Sequence, residues 1–181
     1  MKKYSSFLSI AALLLVTSAC QKEYKAPVSN TVEMNGRWWV ELYQDADKDG
    51  KITSADNLYY SYEDYGMYAL ITSNTANNSK DSVLLTENPS LPKSSKWPFT
   101  FKTPVNISNL TFTANPAGST NLALSGETVS MVSGKILKNA ATTLSGAKVD
   151  SIFVEMEFSD DAGSWYILSG HRDTGQPEDQ H

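Results

Sequence analysis

The chain has 181 residues, 40% of them hydrophobic and 19% charged, with 15 Lys+Arg against 20 Asp+Glu. That length buries one ordinary core, and the acidic balance lacks the basic excess that phosphate neutralisation needs, which excludes nucleic acid as an expected partner. One cysteine rules out an internal disulfide, and two histidines leave little for a zinc site.

The N-terminus reads as an export signal. Met1-Lys2-Lys3 is positive, and Phe7 to Val16 is a short apolar run. Such a run is too short to span a bilayer stably, so residues 1–19 are expected to be a signal peptide. Thr17-Ser18-Ala19 and then Cys20 resemble a bacterial lipobox, with Thr17 an unusual first residue. The resemblance implies that Cys20 begins the mature chain and carries acyl groups of the palmitate kind, which tie it to a membrane. Cys20-Gln21-Lys22-Glu23 resembles the surface-export signal of Bacteroidetes lipoproteins. That implies the outer membrane, facing the periplasm or the cell surface. Residues 20–34 are polar with one Pro27 and are expected to form a flexible tether.

A β domain is expected over 35–176, with a short tail over 177–181. Its first strand is Gly36 to Tyr43, where Trp38, Val40 and Leu42 share one face. An acidic loop follows. Asp45, Asp47, Asp49 and Asp56 take positions 1, 3, 5 and 12 of a twelve-residue calcium loop, and Gly50 at position 6 permits the sharp turn. Lys51 at position 7 would offer its backbone carbonyl, and Thr53 at position 9 a direct or water-bridged contact. Four carboxylates this close repel one another without a cation. Asp56 is shorter than the Glu of an EF-hand, as in dockerin-type loops, and the preceding strand makes a helix–loop–helix pair unexpected. The loop is therefore either a structural Ca2+ site or a solvated acidic hairpin end. A short helix capped by Thr53 and running through Leu58 to Tyr62 is expected after it. Tyr59, Tyr60, Tyr62, Tyr65 and Tyr68 cluster next. They either line a barrel mouth and core or form a surface that stacks on a glycan or a partner protein.

Further strands are expected at Met67 to Ser73, Ser82 to Thr86, Trp97 to Thr103, Ile107 to Thr113, Asn121 to Leu124, Glu127 to Val132, Lys135 to Leu137, Asp150 to Phe158 and Ser164 to Ser169. In the strand ending at Phe158, Ile152, Val154, Met156 and Phe158 share one face, and Glu155 and Glu157 the other, which reads as the solvent face. Asn77-Asn78-Ser79, Asn115-Pro116-Ala117-Gly118, Ser125-Gly126, Ser145-Gly146 and Asp160-Asp161-Ala162-Gly163 carry turn chemistry. The sum is an all-β sandwich or closed barrel, and the resemblance that follows favours a single antiparallel barrel of about eight to ten strands.

Gly36-Arg37-Trp38 resembles the opening of calycin (lipocalin-like) barrels, whose late arginine packs over that tryptophan; Arg172 is the matching residue. Gly134 to Thr143, Asp150-Ser151-Ile152 and the tail Ser169-Gly170-His171-Arg172-Asp173-Thr174-Gly175 with Glu178-Asp179 resemble the Bacteroidetes lipoprotein family named lipid-binding putative hydrolase. Gly36-x-Trp38 and Thr72-Ser73-Asn74-Thr75-Ala76 fit it too. The resemblance spans about residues 34 to 179 and implies a calycin-like cup for a small apolar or amphipathic ligand. It carries no catalytic residue over. The residues themselves assemble no catalytic constellation: there is no Gly-x-Ser-x-Gly elbow, and His171 and His181 are the imidazoles on offer. A binding protein is expected, with a glycan- or protein-binding surface and a hydrolase using His171 as alternatives.

Overall fold

The computed structural model describes residues 28–60, 68–87 and 98–179. Its strands are β1 (Gly36–Asp45), β2 (Asn57–Tyr60), β3 (Tyr68–Asn74), β4 (Ser82–Glu87), β5 (Thr100–Asn106), β6 (Thr111–Phe112), β7 (Asn115–Thr120), β8 (Thr128–Thr142), β9 (Lys148–Phe158) and β10 (Trp165–Arg172). The helical pieces among the described residues are 3-10 turns at Ser159–Asp161 and Pro177–Asp179. Every pairing is antiparallel. The path β1-β3-β4-β5-β6-β8-β9-β10 returns to β1, where Trp38 faces Arg172 and Asp45 faces Trp165. This is a closed eight-stranded barrel; β2 extends the far half of β1, and β7 flanks β8. Closure gives each of the eight wall strands a neighbour on both sides.

Period-two alternation sends Trp38, Val40 and Leu42 of β1 inward, with Ile152, Val154, Met156 and Phe158 of β9 across from them. They join one continuous cluster in which no side chain is more than 7% exposed. Each such burial contributes about 1.5–3 kcal/mol before chain entropy is set against it. A barrel of about eight strands is wide enough for its own side chains or for one small ligand, and these inward-facing side chains line its described interior.

Several local expectations also change. The short helix after Thr53 is absent; residues 57–60 form β2, because β1 offers a pairing edge beyond Val40. Asn115–Gly118 lies in β7 with a register shift rather than in a turn, while Asn121–Leu124 forms bends. Residues 107–110 form a turn that shortens the expected strand to β6. The two expected strands at 127–132 and 135–137 are one long strand, β8. Its Gly134 is where a Cβ would stand 2.9 Å from the Phe112 ring, so the glycine marks close packing and not a break. The chain settles on the barrel before the end of the expected tether: Thr31 and Met34 are fully buried. Residues 1–27, including the expected signal peptide and Cys20, lie outside the described residues, as do Tyr62 and Tyr65, while the side chains of Tyr59, Tyr60 and Tyr68 are not described.

Candidate metal centre

The loop from β1 to β2 turns back over the outer wall of the barrel. Asp45 ends β1 on the outward face and is 2% exposed. Its Oδ1 accepts the amide of Lys48 at 2.6 Å and its Oδ2 the amide of Gly50 at 3.0 Å. Lys48 and Gly50 both take positive φ, 57° and 69°, which wraps the chain around the carboxylate. Gly50 holds that conformation without strain, whereas a side chain there would not. Asp47 Oδ1 accepts the amide of Asp49, and Asp49 Oδ1 the amide of Lys51. The result brings one carboxylate oxygen each of Asp45, Asp47 and Asp49 within 4.8 Å of one another.

The other two predicted positions behave differently. The ammonium of Lys51 pairs with Asp49 Oδ2 at 2.9 Å. Asp56 accepts the amides of Ala46 at 3.0 Å and Thr53 at 2.6 Å, so it ties the two ends of the loop together and stands apart from the triad.

A residue missed by sequence reasoning lies beside this cluster. Glu155 of β9 points outward, as expected, but it is 2% exposed, because the loop covers it: a Cβ on Gly50 would stand 3.6 Å from its Oε2. The solvent-face reading of Glu155 is thus corrected. Its Oε2 accepts the hydroxyl of Ser133 at 3.0 Å, and its Oε1 has no hydrogen-bond partner. Burial, then the hydrogen bond that its protonated carboxyl gives to Asp45, push it up to about 7. Asp45 shifts the other way: burial works against its charge, but Glu155 and the amides of Gly50, Lys48 and Asp49 together hold it below its ordinary value. Burial and the neighbouring Asp49 raise Asp47. Beside the loop, the Lys48 ammonium lies 5.2 Å from the Trp165 ring.

The opposite end of the barrel is closed by the predicted trio. The Arg172 guanidinium lies 4.3 Å over the Trp38 ring. A Cβ on Gly36 would stand 2.3 Å from Arg172 Nη1, so the first residue of Gly-x-Trp is the space the arginine occupies. Arg172 donates to the Asn35 carbonyl at 2.8 Å and pairs with Asp150 at 3.3 Å. Asp150 also meets Lys138, which reaches Glu33. Below Trp38, the indole N–H donates to Thr72 Oγ1 at 2.9 Å. The tail is pinned here as well: Asp179 is fully buried and accepts the Ser145 amide and hydroxyl and the Thr174 hydroxyl at 2.7, 2.9 and 2.7 Å. His171 sits on the outer face of β10 opposite Trp39, and its Nδ1 donates to the Arg172 carbonyl at 3.1 Å.

A structural-genomics protein of unknown function from Bacteroides ovatus resembles the chain at 16% identity and a TM-score of 0.44, over 75% of this chain and 41% of its own. The chain thus spans less than half the length of that protein. No curated protein matches. The family model described as lipid-binding putative hydrolase matches residues 23–177. With the match running from ahead of the buried Met34 through β10 and into the pinned tail, the chain belongs to the lipid-binding putative hydrolase family.

Proposed function

We propose that this is a lipid-anchored protein of the bacterial outer membrane that binds a small apolar or amphipathic molecule of lipid type without chemical turnover. The family match over residues 23–177 carries the reading. The anchor is Cys20, the lone cysteine after the apolar run; stable attachment takes two or more acyl chains. The ligand's apolar part is assigned to a rim that opens onto the buried cluster. Leu122 and Leu124, 67% and 36% exposed, stand in the β7–β8 loop, and the Leu122 amide donates to the Thr100 carbonyl at 2.7 Å. Phe99, the neighbour of Thr100, packs against Phe101 and Phe158 with ring centroids 5.8 Å apart. A hydrocarbon chain lying on the two leucines reaches the core by displacing Phe99, one side chain with two soft torsions. Burying the leucines would add about 25 cal/mol per Å2 of covered apolar area.

The test is native extraction of the full chain with mass spectrometry of co-purified lipid, followed by displacement of a fluorescent fatty acid. Leu122→Ser with Leu124→Ser is expected to weaken the fatty acid at least fivefold. Unchanged binding in that double variant removes the rim. Absence of both co-purified lipid and fatty-acid binding in the unaltered protein overturns the reading.

A further inference from the structure

The geometry points to a divalent-cation site of calcium type shared between a loop and the barrel wall: Asp45, Asp47 and Asp49 supply three ligands, and Glu155 of β9 supplies the carboxylate that completes it.

Two oxygens bound to one calcium ion stand no further apart than twice the bond length, about 5 Å. The triad, with its oxygens within 4.8 Å, meets that limit; Glu155 is not among those oxygens and joins them by a turn of its side chain from Asp45, the triad member it touches. The cluster is not merely acidic surface. Glu155 is 2% exposed, touches Asp45, and leaves Oε1 without a hydrogen-bond partner. A buried carboxylate short of donors and beside a second one is unfavourable on both counts. A divalent cation between them removes both penalties, since it replaces the missing donor and screens the like charges. Asp56 holds the loop ends instead of facing the triad. The last carboxylate of this twelve-residue loop is thus supplied from another strand. An all-oxygen, carboxylate-rich cradle on a loop suits calcium; magnesium demands a tighter octahedron and keeps its waters. Lys51, whose ammonium already sits on Asp49, is a built-in competitor. Occupancy would clamp the β1–β2 loop onto β9 across β10.

The test uses the full chain, calorimetric titration with CaCl2, and terbium luminescence excited through Trp165, which faces Asp45 across the β1–β10 ladder. Calcium is expected to bind in the micromolar to millimolar range and magnesium at least tenfold more weakly. Glu155→Gln is expected to weaken calcium at least tenfold, and so is Asp47→Asn, an exposed position where folding is not at stake. Lys51→Ala should tighten it severalfold. No calcium heat and no terbium signal in the unaltered chain overturns the site. Full affinity in Glu155→Gln, with loss in Asp56→Asn, overturns the shared geometry in favour of a self-contained loop.

Discussion

Two carboxylates are taken out of water by this fold, Asp179 at one end of the barrel and Glu155 on the wall near the other, and they are solvated in opposite ways. Asp179 is fully buried and accepts three hydrogen bonds, from the Ser145 amide, the Ser145 hydroxyl and the Thr174 hydroxyl. Burial pushes its carboxyl up, but those donors prevail and hold it at about 2. Glu155 is 2% exposed, accepts one hydrogen bond, and lies against Asp45. Depth alone therefore does not mark a functional group. What separates the two is the supply of donors: the tail acid is a finished staple, while the wall acid is the one proposed above as a cation ligand.

That contrast can be broken from either side. The satisfied end should be the expensive one to disturb. Trp38→Ala removes the ring under Arg172 and opens a cavity in the core; about 3–5 kcal/mol of stability is expected to go, which by calorimetry is a Tm loss on the order of 10 °C, the same with and without calcium. Gly36→Ala thrusts a methyl group to 2.3 Å from Arg172 Nη1. About 1–3 kcal/mol should be lost as the arginine is pushed off the indole, read as a lower denaturant midpoint. Asp179→Asn sharpens the comparison by pH. The folded carboxyl titrates at about 2, below its ordinary 3.8. Its contribution is full above the ordinary value and fades as pH falls through the folded one. The Tm gap between the unaltered chain and Asp179→Asn should thus be several degrees at neutral pH and close on acidification towards pH 2; a gap independent of pH would deny Asp179 its role. The smallest effect has the opposite sign. In chelator and above pH 7, where Glu155 is ionised, Glu155→Gln removes a like-charge contact and gives Asp45 a permanent donor, so Tm should rise by about 2–4 °C. A fall of that size would mean that Glu155 is already satisfied without a cation.

The sequence carried the barrel because alternation is local: Trp38, Val40 and Leu42 announce their strand without reference to anything else. It carried the loop spacing for the same reason, since Asp45, Asp47 and Asp49 lie within one short turn. Arg172 over Trp38 was legible through family resemblance, as a pairing between the two ends of the domain. Glu155 was not legible. It alternates with Ile152, Val154 and Met156, and a charged residue on that face is normally wet; only a loop folded back from β1 makes it dry. Gly134 misled in the other direction, because a glycine between two apolar runs reads as punctuation, whereas here it admits Phe112 against β8. The meeting of the inward side chains was equally out of reach. Alternation says which residues face inward, but whether they meet depends on strand number and on Phe99, Phe158 and Tyr166 converging at one end.

The most direct measurement is a crystal structure grown with millimolar calcium and collected for anomalous signal. The account predicts one peak about 2.3–2.6 Å from oxygens of Asp45, Asp47, Asp49 and Glu155, with Asp56 still bonded to the amides of Ala46 and Thr53. A loop without a peak, or an ion held by Asp56 while Glu155 stays on Ser133 alone, would contradict it.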